Sequence, residues 1–141
     1  MSNAGTTSET QFASAANRRR AVTVALWVLQ VLLALQFVMA GFVKVFGDPA
    51  MVEMFATIGI GQWFRYVVGA LEIAGALGVL IPRLSGLAAL GLACLMVGAT
   101  LTNIFVLDTS LLLTIGLLVV SALVAWGRWP ETRSLAAGFG R

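Results

Sequence analysis

From Ala21 to Val43 the chain runs 23 residues without a charged side chain, and from Leu84 to Leu107 it runs 24 more. A third uncharged run covers Ser110 to Gly127, and a fourth apolar stretch, Trp63 to Ile81, carries only Arg65 and Glu72. A helix of about 20 residues crosses the roughly 30 Å hydrocarbon core of a bilayer. Four such runs in 141 residues leave too little polar surface for a soluble fold. Composition agrees: 60% of residues are hydrophobic and 11% charged, where ordinary soluble domains carry about 25% charged residues. An ordinary soluble enzyme and a disordered chain are both excluded. The expected fold is an all-α membrane protein, an antiparallel four-helix transmembrane bundle in one domain.

The punctuation between the runs sets the organisation. Residues 1–20 are rich in Ser, Thr, Asn, Ala and Gly and end in Arg18, Arg19 and Arg20. They read as a disordered basic cytoplasmic tail. The apolar run that follows is too long for a signal peptide and lacks a convincing small-residue cleavage site, so it reads as a retained span. Within the bundle, 21–127, the spans are expected at about 21–45, 63–81, 84–107 and 110–127. Gly47, Asp48 and Pro49 stop the first. Between the first two spans, Met51, Phe55 and Ile58 fall at helical spacing while Glu53 and Thr57 fall elsewhere, which predicts a short amphipathic interfacial helix ended by Gly59 and Gly61. Pro82 and Arg83 make the tight turn of a hairpin, and Asp108 is expected to stop the third span. Residues 128–141 form a cytoplasmic tail.

Lys and Arg asymmetry orients the bundle. One side holds Arg18, Arg19, Arg20, Arg83, Arg128, Arg133 and Arg141, and the other only Lys44 and Arg65. The positive-inside rule then places both N and C termini in the cytoplasm, with a bacterial inner membrane as the simplest home. Trp126 and Trp129 would mark the inner interface, Trp63 and Tyr66 the outer one. The net charge of +3 reflects this topology and not nucleic-acid binding.

The inventory of reactive groups is thin. There is no histidine, and Cys94 is the single cysteine, so an intramolecular disulfide or a two-cysteine relay is impossible. No metal site is expected, since carboxylates are few and dispersed. The methionines, among them Met39, Met51, Met54 and Met96, are too scattered for copper and read as gap-fillers. Cys94, in mid-span, reads as a packed, inert thiol. Gln30 reads as a helix–helix hydrogen bond, and the stripe Ala70, Ala74, Gly78 as close bundle packing.

Glu72 is the sharpest residue. It lies nine residues beyond Trp63, about 13 Å below the outer interface. A carboxylate at that depth is costly unless it is protonated, paired or facing a wet cavity. Lys44 ends the first span and can snorkel outward or bend into the bundle. Arg65 sits two turns above Glu72. Gln36 is nearly level with Glu72, and Asn103, Thr100 and Thr114 occupy the outer halves of the third and fourth spans. Two readings of this polar core stand side by side. In one, Lys44 or Arg65 pairs with Glu72 and locks the bundle. In the other, Lys44, Glu72, Arg65, Gln36, Asn103 and Thr100 line a small outward pocket for a quinone head group or another small ligand.

The segments Ala40-Gly-Phe-Val-Lys-Val-Phe-Gly47 and Gly69-Ala-Leu-Glu-Ile-Ala-Gly-Ala-Leu-Gly78 resemble the first and second spans of DoxX-like membrane proteins. The intervening amphipathic stretch and the four-span layout are similar too, over about residues 22–126. The pattern carries over to Gly41, Lys44, Glu72 and Gly75. The resemblance implies a small accessory subunit of a membrane oxidoreductase system, not an enzyme on its own. It implies no intrinsic cofactor, with a quinone as the candidate ligand. Partners would be the lipid bilayer, other membrane or oxidoreductase subunits, and a second copy as a homo-oligomer. Relatives that service thiol chemistry carry cysteine pairs, and this sequence does not. The alternatives are a non-catalytic assembly factor or scaffold and, behind it, a small oligomeric transporter.

Overall fold

The computed structural model describes residues 3–107 and 110–140. Asp108, expected to end the third span, and Arg141 lie outside them. All regular structure among the described residues is helical: α1 (Asn3–Phe46), α2 (Pro49–Ile58), α3 (Gln62–Leu80), α4 (Ser85–Thr102) continued by a π-helical turn (Asn103–Leu107), α5 (Leu112–Gly127) and α6 (Trp129–Phe139).

The longest departure from expectation is α1, which begins at Asn3 and carries the first span backwards through the segment read as a disordered tail. The physical reason lies in the sequence. No proline precedes Pro49, and the hydroxyls that would compete with the helix instead bond back to it. Ser8 donates to the Gly5 carbonyl at 2.9 Å and Thr23 to that of Arg19 at 3.0 Å. The segment 128–141, read only as a tail, likewise contains α6, bent by 62° from α5. Pro130 in its first turn has no N–H to give the preceding helix, so it starts a new one.

The α1–α2 junction is fully specified by its residues. Gly47 takes a left-handed φ of +78° and the Asp48 amide donates back to the Val43 carbonyl at 3.0 Å, which turns the chain out of the helix. Asp48 then caps α2, its carboxylate accepting from the Ala50 amide at 3.0 Å, with Pro49 in the first turn. Gly59, φ +80°, ends α2. Phe55 is buried, Met51, Met54 and Ile58 are half-buried, and Glu53 and Thr57 are exposed. The amphipathic helix therefore sits where its periodicity placed it.

Helix α1 packs against α3 and α5, and α4 packs against the same two helices, so the four close into a ring. The core inside is built from Leu33, Ala34, Phe37, Ala76, Val79, Ala89, Leu92, Met96, Val124 and Ala125. Glycines set the helix separations. A Cβ on Gly75 would lie 2.5 Å from Leu92 Cδ2, and one on Gly78 would lie 2.8 Å from Ala88 Cβ. Outside the ring, large apolar side chains such as Leu35, Leu71, Leu87 and Leu123 stand exposed. Among the described residues, three helices are long and apolar enough to cross a membrane. The shorter α5 reaches that length only together with α6, across the bend.

Candidate functional site

Where α1 meets α3, two glycines bring the backbones into contact. A Cβ on Gly41 would fall 2.6 Å from the Gly69 carbonyl oxygen and 2.7 Å from Ile73 Cγ1. One on Gly69 would fall 2.9 Å from the Gly41 carbonyl oxygen. Close approach of this kind is what small residues permit at membrane helix interfaces. It also places the next inward residues on each helix within reach.

Those residues are Lys44 and Glu72. The Lys44 ammonium donates to Glu72 Oε2 at 2.9 Å and Oε1 at 3.1 Å, and to the Ala40 carbonyl at 3.4 Å. An ammonium has three N–H donors, so all are engaged. Glu72 is 3% exposed and Lys44 15%. The carboxylate is thus enclosed, while the lysine stem reaches it from nearer the edge.

Arg65, the other cation offered for Glu72, is used differently. It is buried, its Nη1 donates to the Lys44 carbonyl, and its Nε donates to Gln62 Oε1 at 2.9 Å. The Lys44 carbonyl belongs to the last turn of α1, which has no amide partner of its own within the helix. Arg65 therefore caps α1 and sets a positive charge at its negative end. Its guanidinium also lies over the Tyr66 ring, 4.3 Å from the centroid. One backbone group of Lys44 and one side-chain group of the same residue are held from two points of α3's inward face that lie two turns apart.

The remaining residues read as polar core do not join this pair. Gln36 is exposed on the outer face of α1. Level arithmetic gave its height but not its direction: eight residues before Lys44 is about 80° around the helix, whereas Phe37, seven before, is about 20° away and buried. Thr100 donates to its own helix at the Met96 carbonyl, 2.7 Å, and Thr114 to Leu111, 3.1 Å. Asn103 is half-buried at the start of the π-helical turn. Cys94 is exposed on the outer face of α4, not packed inside as its mid-span position suggested.

A second polar centre lies at the opposite end. Gln30, fully buried, donates through Nε2 to the Val79 carbonyl at 2.7 Å. Its Oε1 accepts from Arg128 Nη2 at 2.7 Å and Nε at 3.1 Å. Arg128 Nη1 reaches Glu131 Oε1 at 3.2 Å. One amide thus satisfies an orphan carbonyl in the last turn of α3 and anchors an arginine from the α5–α6 junction. The helix–helix role read for Gln30 holds. The role of Arg128 was missed, because it stands outside the apolar runs and 98 residues away from its partner.

A family model described as the DoxX-like family matches residues 28–126, most of the chain. The chain belongs to the DoxX-like family. Comparison with curated proteins and with solved structures gives no match. With its apolar helices, this DoxX-like chain is a multi-pass membrane protein. The positions singled out by resemblance form a connected patch in it: Gly41 opens the seam, Lys44 and Glu72 meet across it, and Gly75, one turn below Glu72, receives Leu92 from α4. Clefts open among the described residues of the DoxX-like fold. An apolar groove of about 330 Å³ runs between α3 and α4 along Ala74, Gly75 and Gly78, and a larger cleft of about 1080 Å³, with both charged and apolar lining, lies beside the α5–α6 junction. Lys44 and Glu72 line neither.

Proposed function

We propose that this DoxX-like chain is an accessory subunit of a membrane oxidoreductase system, acting as a rigid four-span antiparallel bundle and not as the redox centre. The observation that carries the reading is the closed hydrogen-bond account of Lys44. Its three N–H groups are spent on Glu72 and Ala40, which makes the intramembrane charges a lock between α1 and α3. A quinone carbonyl would have to displace one of these acceptors, so the pocket version of the role is the less supported one. Antiparallel order is supported by register: Gln30 meets Val79 while Gly41 meets Gly69. Counting α5 with its bend as the fourth crossing, the arginine-rich side faces the cytoplasm and the Lys44–Arg65 side faces outward, in a bacterial inner membrane.

The exposed apolar flanks support a role in binding other membrane helices, which an assembly factor would share. The decisive experiment is gentle extraction into native nanodiscs followed by native mass spectrometry. A co-purifying oxidoreductase subunit is the expected result. A homo-oligomer carrying only bulk lipid would overturn the proposal. Loss of other membrane proteins on deletion, without a stable complex, would replace it with the assembly-factor reading.

A further inference from the structure

We propose that the cleft between the Thr10 to Leu26 stretch of α1 and the α5–α6 junction binds the phosphate of an anionic phospholipid. The inference rests on membrane insertion alone and not on the oxidoreductase role. The cleft, about 1080 Å³, is walled by a stripe of α1 that includes Ser14, Arg18, Val22 and Leu26 and, opposite, by Gly127, Arg128 and Glu131. Arg19 also borders it.

Its chemistry is graded along α1. Arg18 and Arg19 stand at one end, and their guanidinium groups make no hydrogen bond or ion pair among the described residues. Val22 and Leu26 follow, one and two turns deeper, so the cleft turns apolar over about 12 Å. A phosphodiester head with acyl chains has the same order of charge and grease. The opposite wall is fixed. Arg128 is tied to Gln30 and to Glu131 Oε1, so the single carboxylate on the wall already has a cation. Three guanidiniums against one carboxylate leave the cleft positive, and the two unengaged ones face the headgroup level. Basic pockets between helices at the cytoplasmic surface are suited to anionic headgroups. Guanidinium forks suit phosphate oxygens better than an ammonium does.

The test uses the full chain in nanodiscs of phosphatidylcholine doped with phosphatidylglycerol, with retained lipids counted by native mass spectrometry. Wild type is expected to enrich phosphatidylglycerol over its bulk fraction. The double variant Arg18→Gln with Arg19→Gln is expected to lose that enrichment by roughly tenfold or more, from about 1 kcal/mol per basic residue near the surface. Ser14→Trp, which fills the mouth without changing charge, is expected to lose it as well, while Arg133→Gln, outside the cleft, is expected to keep it. Retention in Ser14→Trp, or equal loss in Arg133→Gln, would reduce the effect to diffuse surface charge and overturn the site. Displacement of the lipid by excess inorganic phosphate would reassign the cleft to a free anion and overturn the lipid assignment.

Discussion

Gly41 and Gly69 face each other across the α1–α3 seam so closely that neither has room for a methyl group. The approach is the condition for the ion pair beside it, because Lys44 and Glu72 are each the next inward residue beyond one of these glycines. Sequence motif, helix packing and intramembrane charge are one feature here and not three.

Gly41→Ala should therefore push α1 from α3. We expect a loss of about 1–3 kcal/mol, the usual cost of overpacking a tight contact. Gly98→Ala is the matched control, since a Cβ there meets nothing within 4 Å, and it should be neutral or slightly stabilising through helix propensity. Reversible unfolding in mixed detergent micelles would compare them. Equal stability of the two variants would refute the close-contact account.

Breaking the pair should cost more than deleting it. Glu72→Gln leaves Lys44 without its carboxylate and should destabilise by about 3 kcal/mol. Adding Lys44→Met should recover much of that loss. The coupling from the double-mutant cycle is the quantity to measure, and additive effects would show that the pair does not lock the seam.

Arg65 is expected to act on α1 and not on Glu72. Arg65→Lys keeps the charge but cannot serve both Gln62 and the Lys44 carbonyl with a planar fork. It should speed amide exchange around Phe46 to Asp48, with a stability loss of about 1 kcal/mol. Exchange rates unchanged there, with weakened protection around Glu72, would assign Arg65 to the carboxylate after all.

At the other end, Gln30→Leu removes the donor to the Val79 carbonyl and the acceptor for Arg128 together. The buried Val79 carbonyl loses its side-chain donor and, among the described residues, the Arg128 guanidinium keeps only its hydrogen bond to Glu131, so a loss of about 2–3 kcal/mol is expected. Thermal unfolding of Gln30→Leu against Gln36→Leu makes the contrast sharp. Gln36 is exposed on the outer face, and its replacement should be silent or favourable.

These two glutamines also mark what could be read from the chain. Run lengths and prolines pointed to helices in the stretches that α2, α3 and α4 occupy, although α4 itself ends at Thr102 and a π-helical turn covers the rest of the expected span, because length and hydropathy respond to one axis only. The Lys44–Glu72 pair was legible since both lie in apolar surroundings where a charge must find a partner. Direction around the helix was harder: Gln36 shares a level with Glu72 yet points away. Arg128 was hidden for another reason, as its partner comes from the far end of the sequence and only the ring of helices brings them together. The helical start of α1 was missed because Ser and Thr composition suggested disorder, while their back-bonding to the helix is visible only in three dimensions.

Orientation has its own test, made simple by the single cysteine. In a Cys94→Ser background, Thr57→Cys places a thiol on the exposed face of α2, and Ser134→Cys places one on the exposed face of α6. If the arginine-rich side is cytoplasmic, a membrane-impermeant maleimide added to intact cells should label position 57 and spare position 134 until the membrane is opened. The native Cys94, exposed on α4 in mid-span, should react with a lipid-soluble reagent and resist the impermeant one in both cases, because the thiol faces hydrocarbon and not water. Labelling at 134 from outside would invert the topology. Labelling of Cys94 by the impermeant reagent in sealed membranes would mean that α4 borders an aqueous path, which a plain four-helix lock does not provide.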